Sequence, residues 1–348
     1  MENILDVVGE EILERIQNNE FERDVEGFIP VSGETPSPSF ALLRDHWLQR
    51  DGLFEDPEFP VETIPMYFTE GPVPIRWLRP GQIVAQPQFI NQGPIAGDVR
   101  QGSIGNCWAL AAASVLAQYG PLFYRVVPPD QGFGQNYAGI FHFHFWRYGR
   151  WTEVIIDDRL PCRSNGQLLY SRPPTENVFW AILLEKAYAK MYGGYAKLSG
   201  GRVTDCLSDL TGGITQEWDL ETLDDAKKRD MELLLVKRPP NSCVKNYSDN
   251  CVFGCATGPV NSDLTRAGLV ENHAYAIIES RELIVDNRQI IVMLIRNPWG
   301  WVNWNGQHSL DWDRLPPANA RYMRNKLAEN SGGFWLLLDD FVRFFASL

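Results

Sequence analysis

The sequence changes character at Cys107, where a polar, glycine-rich stretch gives way to a run of small and apolar residues. Gln101-Gly-Ser-Ile-Gly-Asn-Cys-Trp108 is followed by residues 109–118, which have high helix propensity. This pattern predicts a loop leading into a buried helix, with Cys107 in its first turn. The unpaired N–H groups and partial positive charge of a helix N-terminus favour thiolate over thiol. Cys107 is therefore a candidate nucleophile, although cysteine is also a common small core residue.

Two later segments each place a polar residue at the end of a strand-like run. His273 precedes the apolar residues 274–278, and Asn297 follows the apolar run 290–295 and Arg296, just before Pro-Trp-Gly. Functional side chains are often held at the ends of such elements. The order cysteine, histidine, asparagine is that of papain-like proteases, although the separations of 166 and 190 residues exceed the roughly 130–150 typical of papain. Together the three residues predict a catalytic set.

These segments resemble the catalytic signatures of the calpains, which are cytoplasmic, calcium-regulated cysteine proteases. The matching patterns are Gln-Gly-x-x-Gly-x-Cys-Trp, His-Ala-Tyr and Arg-Asn-Pro-Trp-Gly. Shorter matches occur at 53–60, 156–161, 183–190 and 198–201. The resemblance extends from about residue 45 to residue 348 and covers the protease core of the family only. It implies a papain-like α+β fold of two lobes, with the active site in the cleft between them.

The chain accordingly divides into three predicted parts. Residues 1–44 form an N-terminal segment, in which 1–20 are predicted to be an amphipathic helix and 29–40 a linker. Calpains carry a similar segment that is often cut on activation, so the resemblance implies a cleavage site in this linker. Residues 45–213 form a mostly helical first lobe, with the Cys107 helix and a second helix from Phe179 to Met191. Gly212-Gly213 marks the hinge. Residues 214–348 form an antiparallel, barrel-like second lobe with strand-like runs at 231–236, 274–279, 289–296 and 334–338.

Each residue of the catalytic set has an expected role in amide hydrolysis. Cys107 is the nucleophile, active as the thiolate of an ion pair with His273, which returns the proton to the leaving amine. The side-chain oxygen of Asn297 orients the imidazole. Gln101 can offer its amide to the oxyanion, or it can simply stabilise its loop. Trp299 resembles the tryptophan that shields the histidine–asparagine pair in calpains and separates the lobes in the inactive state.

The resemblance also implies calcium sites, one per lobe in calpains, and a calcium-driven approach of the lobes. In the first lobe, Asp98 and Glu185 match the carboxylate ligands, and Asn91 and Gly93 match the carbonyl positions. Such an oxygen set suits calcium, although Asp98 and Glu185 can also be an ordinary solvated pair.

The second lobe departs from the calpain pattern. At the positions where calpains have acids, this chain has Asn303, Leu310, Ser331 and Gly333. A neutral cluster binds a divalent cation weakly, so we expect one calcium, in the first lobe, and a second lobe without metal. Asn272 is another departure, because calpains usually have glycine before the histidine.

The composition argues against several other classes of protein. The net charge of −12 argues against a general nucleic-acid binder, and no apolar run is long enough to span a membrane. The six cysteines form no evident disulfide framework, which indicates a reduced, cytoplasmic protein. The expected partners are protein substrates, with regulatory domains or a subunit outside this sequence.

Three alternatives remain open. A calpain-like core without strong catalysis can act as a binding or scaffold protein. A transglutaminase also has Cys-Trp at a helix start and uses calcium, but its third member is normally an aspartate. Finally, His142 and His144 alternate along one predicted strand face and could bind a metal, although the sequence suggests no third ligand.

Overall fold

The computed structural model describes residues 38–68, 71–173, 177–237, 251–259, 262–302, 304–305 and 311–348. The predicted helix over 1–20 lies outside these residues, as does most of the predicted linker. The end of that linker is helical instead, because the first described helix, α1, spans Pro38–Gln49 and crosses the predicted boundary between residues 44 and 45.

Helices and antiparallel strands both occur in each lobe of the chain. The further helices are α2 Pro80–Ile83, α3 Cys107–Leu116, α4 Gly120–Val126, α5 Trp180–Tyr192, α6 Val203–Thr211, α7 Asp225–Lys237, α8 Ser262–Arg266, α9 Pro317–Glu329 and α10 Leu338–Phe344. The strands are β1 Ile75–Leu78, β2 Ile140–Arg147, β3 Arg150–Asp157, β4 Leu160–Arg163, β5 Gly254–Ala256, β6 Ala274–Val285, β7 Arg288–Arg296 and β8 Gly333–Leu337. This mixture confirms the predicted α+β class.

The first lobe is built around α3, which is buried from Trp108 to Leu116 because its residues are small or apolar on every side. The predicted helix over 179–191 is confirmed as α5. The lobe also contains two antiparallel pairs, β1 with β4 and β2 with β3. At the predicted hinge, α6 ends and Gly212 takes the left-handed conformation with φ 68°, which glycine adopts without strain.

The second lobe contains one antiparallel sheet in the order β5-β6-β7-β8. The predicted strands at 274–279, 289–296 and 334–338 are confirmed as parts of β6, β7 and β8, although Leu338 already begins α10. The strand predicted at 231–236 is wrong, because this run lies in α7. Met231 and Leu235 are both fully buried and are four residues apart, which is the spacing of a helix face. Within the described residues the sheet is open and does not close into a barrel.

The sheet joins the two lobes because its two faces pack on different cores. Ala274 and Ala276 of β6 belong to the first-lobe core and pack against α3. Tyr275 and Ile277 point to the other face and pack with the apolar side of α10. This period of two places the helix of Cys107 directly against the strand that follows His273.

Two further sequence expectations concern the whole chain. Every helix in the described ranges is too short or too polar to span a bilayer. The described cysteines Cys107, Cys162, Cys206, Cys251 and Cys255 are free thiols, and Cys243 lies outside the described residues.

Candidate active site

Cys107 is the first residue of α3, as the change of composition predicts. Two glycines of the surrounding motifs allow the close packing that holds this loop–helix junction. A Cβ at Gly102 would collide with the backbone carbonyl of Tyr170, and a Cβ at Gly201 would collide with the indole of Trp108. The glycine-rich loop is therefore a packing requirement beside the nucleophile candidate.

His273 and Asn297 meet because they flank neighbouring antiparallel strands at one end of the sheet. His273 precedes β6, Asn297 follows β7, and the register pairs Ala276 with Arg296. The Nε2 of His273 lies 2.9 Å from Oδ1 of Asn297, and that oxygen also accepts the backbone N–H of Trp299 at 3.0 Å. Since an amide oxygen only accepts, Nε2 carries the proton and Nδ1 keeps its lone pair.

The indole of Trp299 lies over the imidazole, with ring centroids 4.7 Å apart. His273 and Asn297 are both buried, with 4% and 1% of their surfaces exposed. Trp299 therefore contributes an apolar cover to their hydrogen bond, as the sequence comparison with calpains suggests. The role of Trp299 in separating the lobes stays a prediction.

Arg296 ties the two lobes together beside this pair. Its fully buried guanidinium donates from Nη1 to the hydroxyl of Ser114 on α3 at 3.0 Å and from Nη2 to the carbonyl of Val99 at 2.6 Å. The backbone N–H of Gln101 also donates across the lobes, to the carbonyl of Pro298 at 2.8 Å. The sequence analysis missed Arg296; the available signal was a charged residue ending an otherwise apolar strand.

Cys107 and His273 line the same pocket, which has a volume of about 130 Å³. Its walls come from both lobes, because Arg202 and Val203 of the first lobe face Asn272 of the second. Asn272 is exposed and has a left-handed backbone with φ 46°, a conformation that asparagine tolerates and glycine prefers.

Burial favours the neutral forms of the His273 imidazole and the Cys107 thiol. It lowers the pKa of His273 to about 4, and the hydrogen bond with Asn297 offsets this only in part. Burial also raises the pKa of the Cys107 thiol, against the lowering effect of the backbone N–H groups of Ala274, Trp108 and Cys107 itself. These shifts favour thiol and imidazole at neutral pH, and the ion pair of Cys107 and His273 stays a prediction.

Comparison with known proteins identifies the family of the chain. A family model described as calpain family cysteine protease matches residues 54–348. The chain belongs to the calpain family. It is 40% identical to Calpain clp-1 of Caenorhabditis elegans over 377 aligned positions, covering 100% of this chain and 46% of the relative. It is 39% identical to human Calpain-8, covering 89% of this chain and 44% of the relative, and 39% identical to Drosophila melanogaster Calpain-B, covering 88% and 33%. The chain thus spans less than half the length of these calpains.

The side chain of Gln101, the predicted oxyanion donor of the calpain site, lies on its own loop. Its Nε2 donates to the carbonyl of Ile104 at 2.7 Å, while Oε1 is buried without a hydrogen-bond partner among the described residues. This contact is the loop-stabilising role that the sequence also allowed. One N–H bond of the amide remains for an oxyanion, so the catalytic role stays a prediction.

The two carboxylates predicted to bind calcium in this calpain core lie in separate environments. Oδ2 of Asp98 accepts hydrogen bonds from the backbone of Ile95 at 3.1 Å and from the indole of Trp180 at 2.7 Å. Asp98 is 5% exposed and its charge acts on the buried guanidinium of Arg296. Trp180 and Glu185 are five positions apart on α5, which places them about 140° apart around the helix.

Glu185 is saturated by donors of the protein itself. Its Oε1 accepts from the amide of Asn106 at 2.7 Å and from the hydroxyl of Ser171 at 2.6 Å, and its Oε2 accepts from the backbone N–H of Ser171 at 3.1 Å. Burial raises the pKa of this carboxyl. These bonds join Glu185 to Asn106, the residue before Cys107, and its role as a calcium ligand beside Asp98 stays a prediction.

Of the other predicted calcium positions, Asn91 and Gly93 flank Gln92 in a turn. Gln92 and Gly93 both have left-handed backbones, with φ 52° and 102°. In the second lobe, Asn303 and Leu310 lie outside the described residues, whereas Ser331 lies in the turn before β8 and Gly333 is the first residue of that strand.

Proposed function

We propose that this chain is the protease core of a calcium-dependent cysteine endopeptidase that cleaves cytoplasmic proteins at limited sites. The observation that carries the proposal is the hydrogen bond of 2.9 Å between His273 and Asn297, in a pocket that also contains Cys107 at a helix N-terminus. Family membership supports the same activity.

The tautomer of His273 suits the first chemical step. Because Nε2 donates to Asn297, the lone pair of Nδ1 is free to accept the proton of the Cys107 thiol. The resulting thiolate attacks the substrate carbonyl, and the imidazolium then protonates the leaving amine. The oxyanion accepts hydrogen bonds from the backbone N–H of Cys107 and from the free N–H of the Gln101 amide. Water finally hydrolyses the thioester.

Activation requires the Cys107 thiol and the His273 ring to become partners in an ion pair. The low pKa of His273, about 4, and the raised pKa of Cys107 keep the pair neutral until each group gains the other as a partner. A shift of the two lobes along the cleft would bring this about, since the nucleophile and the histidine belong to different lobes. Regulatory domains or a subunit outside this sequence would bias that shift.

Calcium dependence rests on the family, because Glu185 is engaged by donors of the protein itself. Asp98 with the carbonyls of Asn91 and Gly93 would hold the ion, which would supply charge that favours one lobe arrangement. Glu185 could join them only after losing its bonds to Asn106 and Ser171. We propose one calcium in the first lobe and none in the second, and isothermal titration should show one site that Asp98→Asn removes. Two sites, or one that survives this change, would contradict it.

The activity is tested by casein cleavage with and without calcium, in the wild type and in Cys107→Ala. We expect cleavage only by the wild type, with calcium, together with covalent labelling of Cys107 by an activity-based probe. A scaffold protein would bind casein without releasing new amino termini, and a transglutaminase would form isopeptide bonds instead. Unlabelled Cys107, or cleavage that persists in Cys107→Ala, would refute the proposal.

A further inference from the structure

The β2–β3 hairpin brings together two histidines and a glutamate outside the catalytic cleft. His142 and His144 are two positions apart on β2, and Glu153 on β3 stands directly opposite His144 in the register. The Oε1 of Glu153 lies 2.7 Å from Nδ1 of His142 and 3.8 Å from Nε2 of His144. One possible ligand atom from each of the three side chains lies within 4.8 Å of the others.

The other ring nitrogen of His142 and of His144 donates a hydrogen bond to an oxygen. Nε2 of His142 donates to Oδ1 of Asp130 at 2.9 Å, and Nδ1 of His144 donates to the carbonyl of Arg125 at 3.0 Å. A carbonyl oxygen only accepts, so Nδ1 of His144 carries the proton and its Nε2 presents a lone pair when the ring is neutral. This lone pair faces the same carboxylate oxygen as Nδ1 of His142.

Three electron-rich groups therefore converge on one point. A proton on Nδ1 of His142 satisfies its contact with Glu153 and makes this ring an imidazolium between two carboxylates. With that proton in place, Nε2 of His144 still lies 3.8 Å from Oε1 of Glu153, which is beyond hydrogen-bond distance. A divalent cation at the same point would interact favourably with all three groups.

Neighbouring side chains hold His142 in place, as the residues behind the ligands do at metal sites. The side chain of Gln131 accepts the backbone N–H of His142 at 2.7 Å and donates to its carbonyl at 2.8 Å. The ring of Phe40 stacks on His142 with centroids 3.9 Å apart. Oδ2 of Asp130, on a side chain only 10% exposed, has no hydrogen-bond partner in the described part of the chain. A carboxylate on the far nitrogen of a ligating histidine is a common feature of zinc sites.

We propose that His142, His144 and Glu153 bind a zinc ion through Nδ1, Nε2 and the carboxylate, with Asp130 orienting His142. Two imidazoles and one carboxylate suit zinc, with water in the fourth position, whereas calcium prefers oxygen ligands throughout. His144 and Glu153 are 16% and 18% exposed at the side chain, so the ion and its water can reach the site. The site is separate from the catalytic cleft and from the calcium positions.

Binding exchanges a proton for the metal. In the metal-free state Nδ1 of His142 carries the proton that bridges it to Glu153; zinc takes that position, and the proton leaves to solvent. Since zinc binds the folded chain, it should also raise the melting temperature, by roughly 5 °C at a hundredfold excess over the dissociation constant.

The test titrates zinc chloride into the tag-free chain in the Cys107→Ala background, which removes the cysteine–histidine pair as a competing site. Calorimetry in two buffers of different ionisation enthalpy should give one zinc per chain and about one proton released. His144→Gln and Glu153→Gln should each weaken binding by about 100-fold. Glu282→Gln, which removes an exposed acid on β6, should leave the affinity unchanged. Calcium chloride should not displace the zinc.

Zinc K-edge absorption of the same background chain gives a second readout that does not depend on how the variants fold. We expect nitrogen and oxygen ligands, including two imidazoles, and no sulfur. Sulfur in the coordination shell, no binding at millimolar zinc, or equal affinity in Glu282→Gln and Glu153→Gln would each overturn the proposal.

Discussion

The burial of neutral His273 predicts a specific loss of stability in acid. The unfolded chain binds a proton at this histidine near the ordinary pKa of 6.5, whereas the folded chain does so only near a pKa of about 4. Between these two values the unfolded state binds more protons, so lowering the pH favours unfolding. The stabilisation is present at neutral pH and is lost as the pH falls from 6.5 towards 4.

The magnitude follows from the two pKa values. Integrating proton binding from pH 7 to pH 5 with 6.5 for the unfolded state and about 4 for the folded state gives a loss of about 2 kcal/mol from His273 alone. His142 works in the opposite direction, because the lowering of its pKa by burial is outweighed by hydrogen bonds and the charges of Asp130 and Glu153, which raise the pKa. The total pH dependence therefore does not isolate His273.

A matched variant at position 273 separates the contribution of His273 from the rest of the pH dependence. Gln at position 273 does not titrate, and its amide can still donate to Asn297, so His273→Gln keeps the other titrating groups in place. Urea unfolding of both proteins at pH 7 and pH 5 should show the wild type losing about 2 kcal/mol more than the variant. Equal losses, or a pKa of His273 above 6 by NMR titration, would refute the burial argument.

Three other changes follow from contacts near the cleft. Asn272→Gly removes an exposed side chain from the pocket and suits the left-handed backbone, so kcat/KM on bulky peptides should rise roughly fivefold; an unchanged or lower value would show that this side chain does not narrow the cleft. Arg296→Ala removes two buried hydrogen bonds between the lobes and should lower the free energy of unfolding by about 3 kcal/mol in urea; a change below about 1 kcal/mol would contradict this. Glu185→Ala leaves the donors of Asn106 and Ser171 unpaired and should cost about 2 kcal/mol while the calcium stoichiometry stays the same; loss of the calcium site would restore Glu185 as a ligand.

Features that depend on neighbours along the chain could be predicted from the sequence. The composition change at Cys107 marks the start of α3, because helix propensity and burial act within a few residues. The apolar runs around 277 and 293 are strands that end at His273 and Asn297. The run at 231–236 is helical and not the predicted strand, because a short apolar segment fits both the strand and the helix period until packing selects Met231 and Leu235 for one helix face.

The tertiary structure decided which side chains share space, and this depends on register and packing between distant segments. Strand pairing places Glu153 beside His144 and so supplies the third group of the proposed zinc site, which the sequence did not suggest. Packing turns Glu185 into the interior, towards Asn106, although its motif indicated a calcium ligand. It also sets the pKa values of Cys107 and His273, since desolvation depends on everything that surrounds a group and not on its neighbours in the sequence.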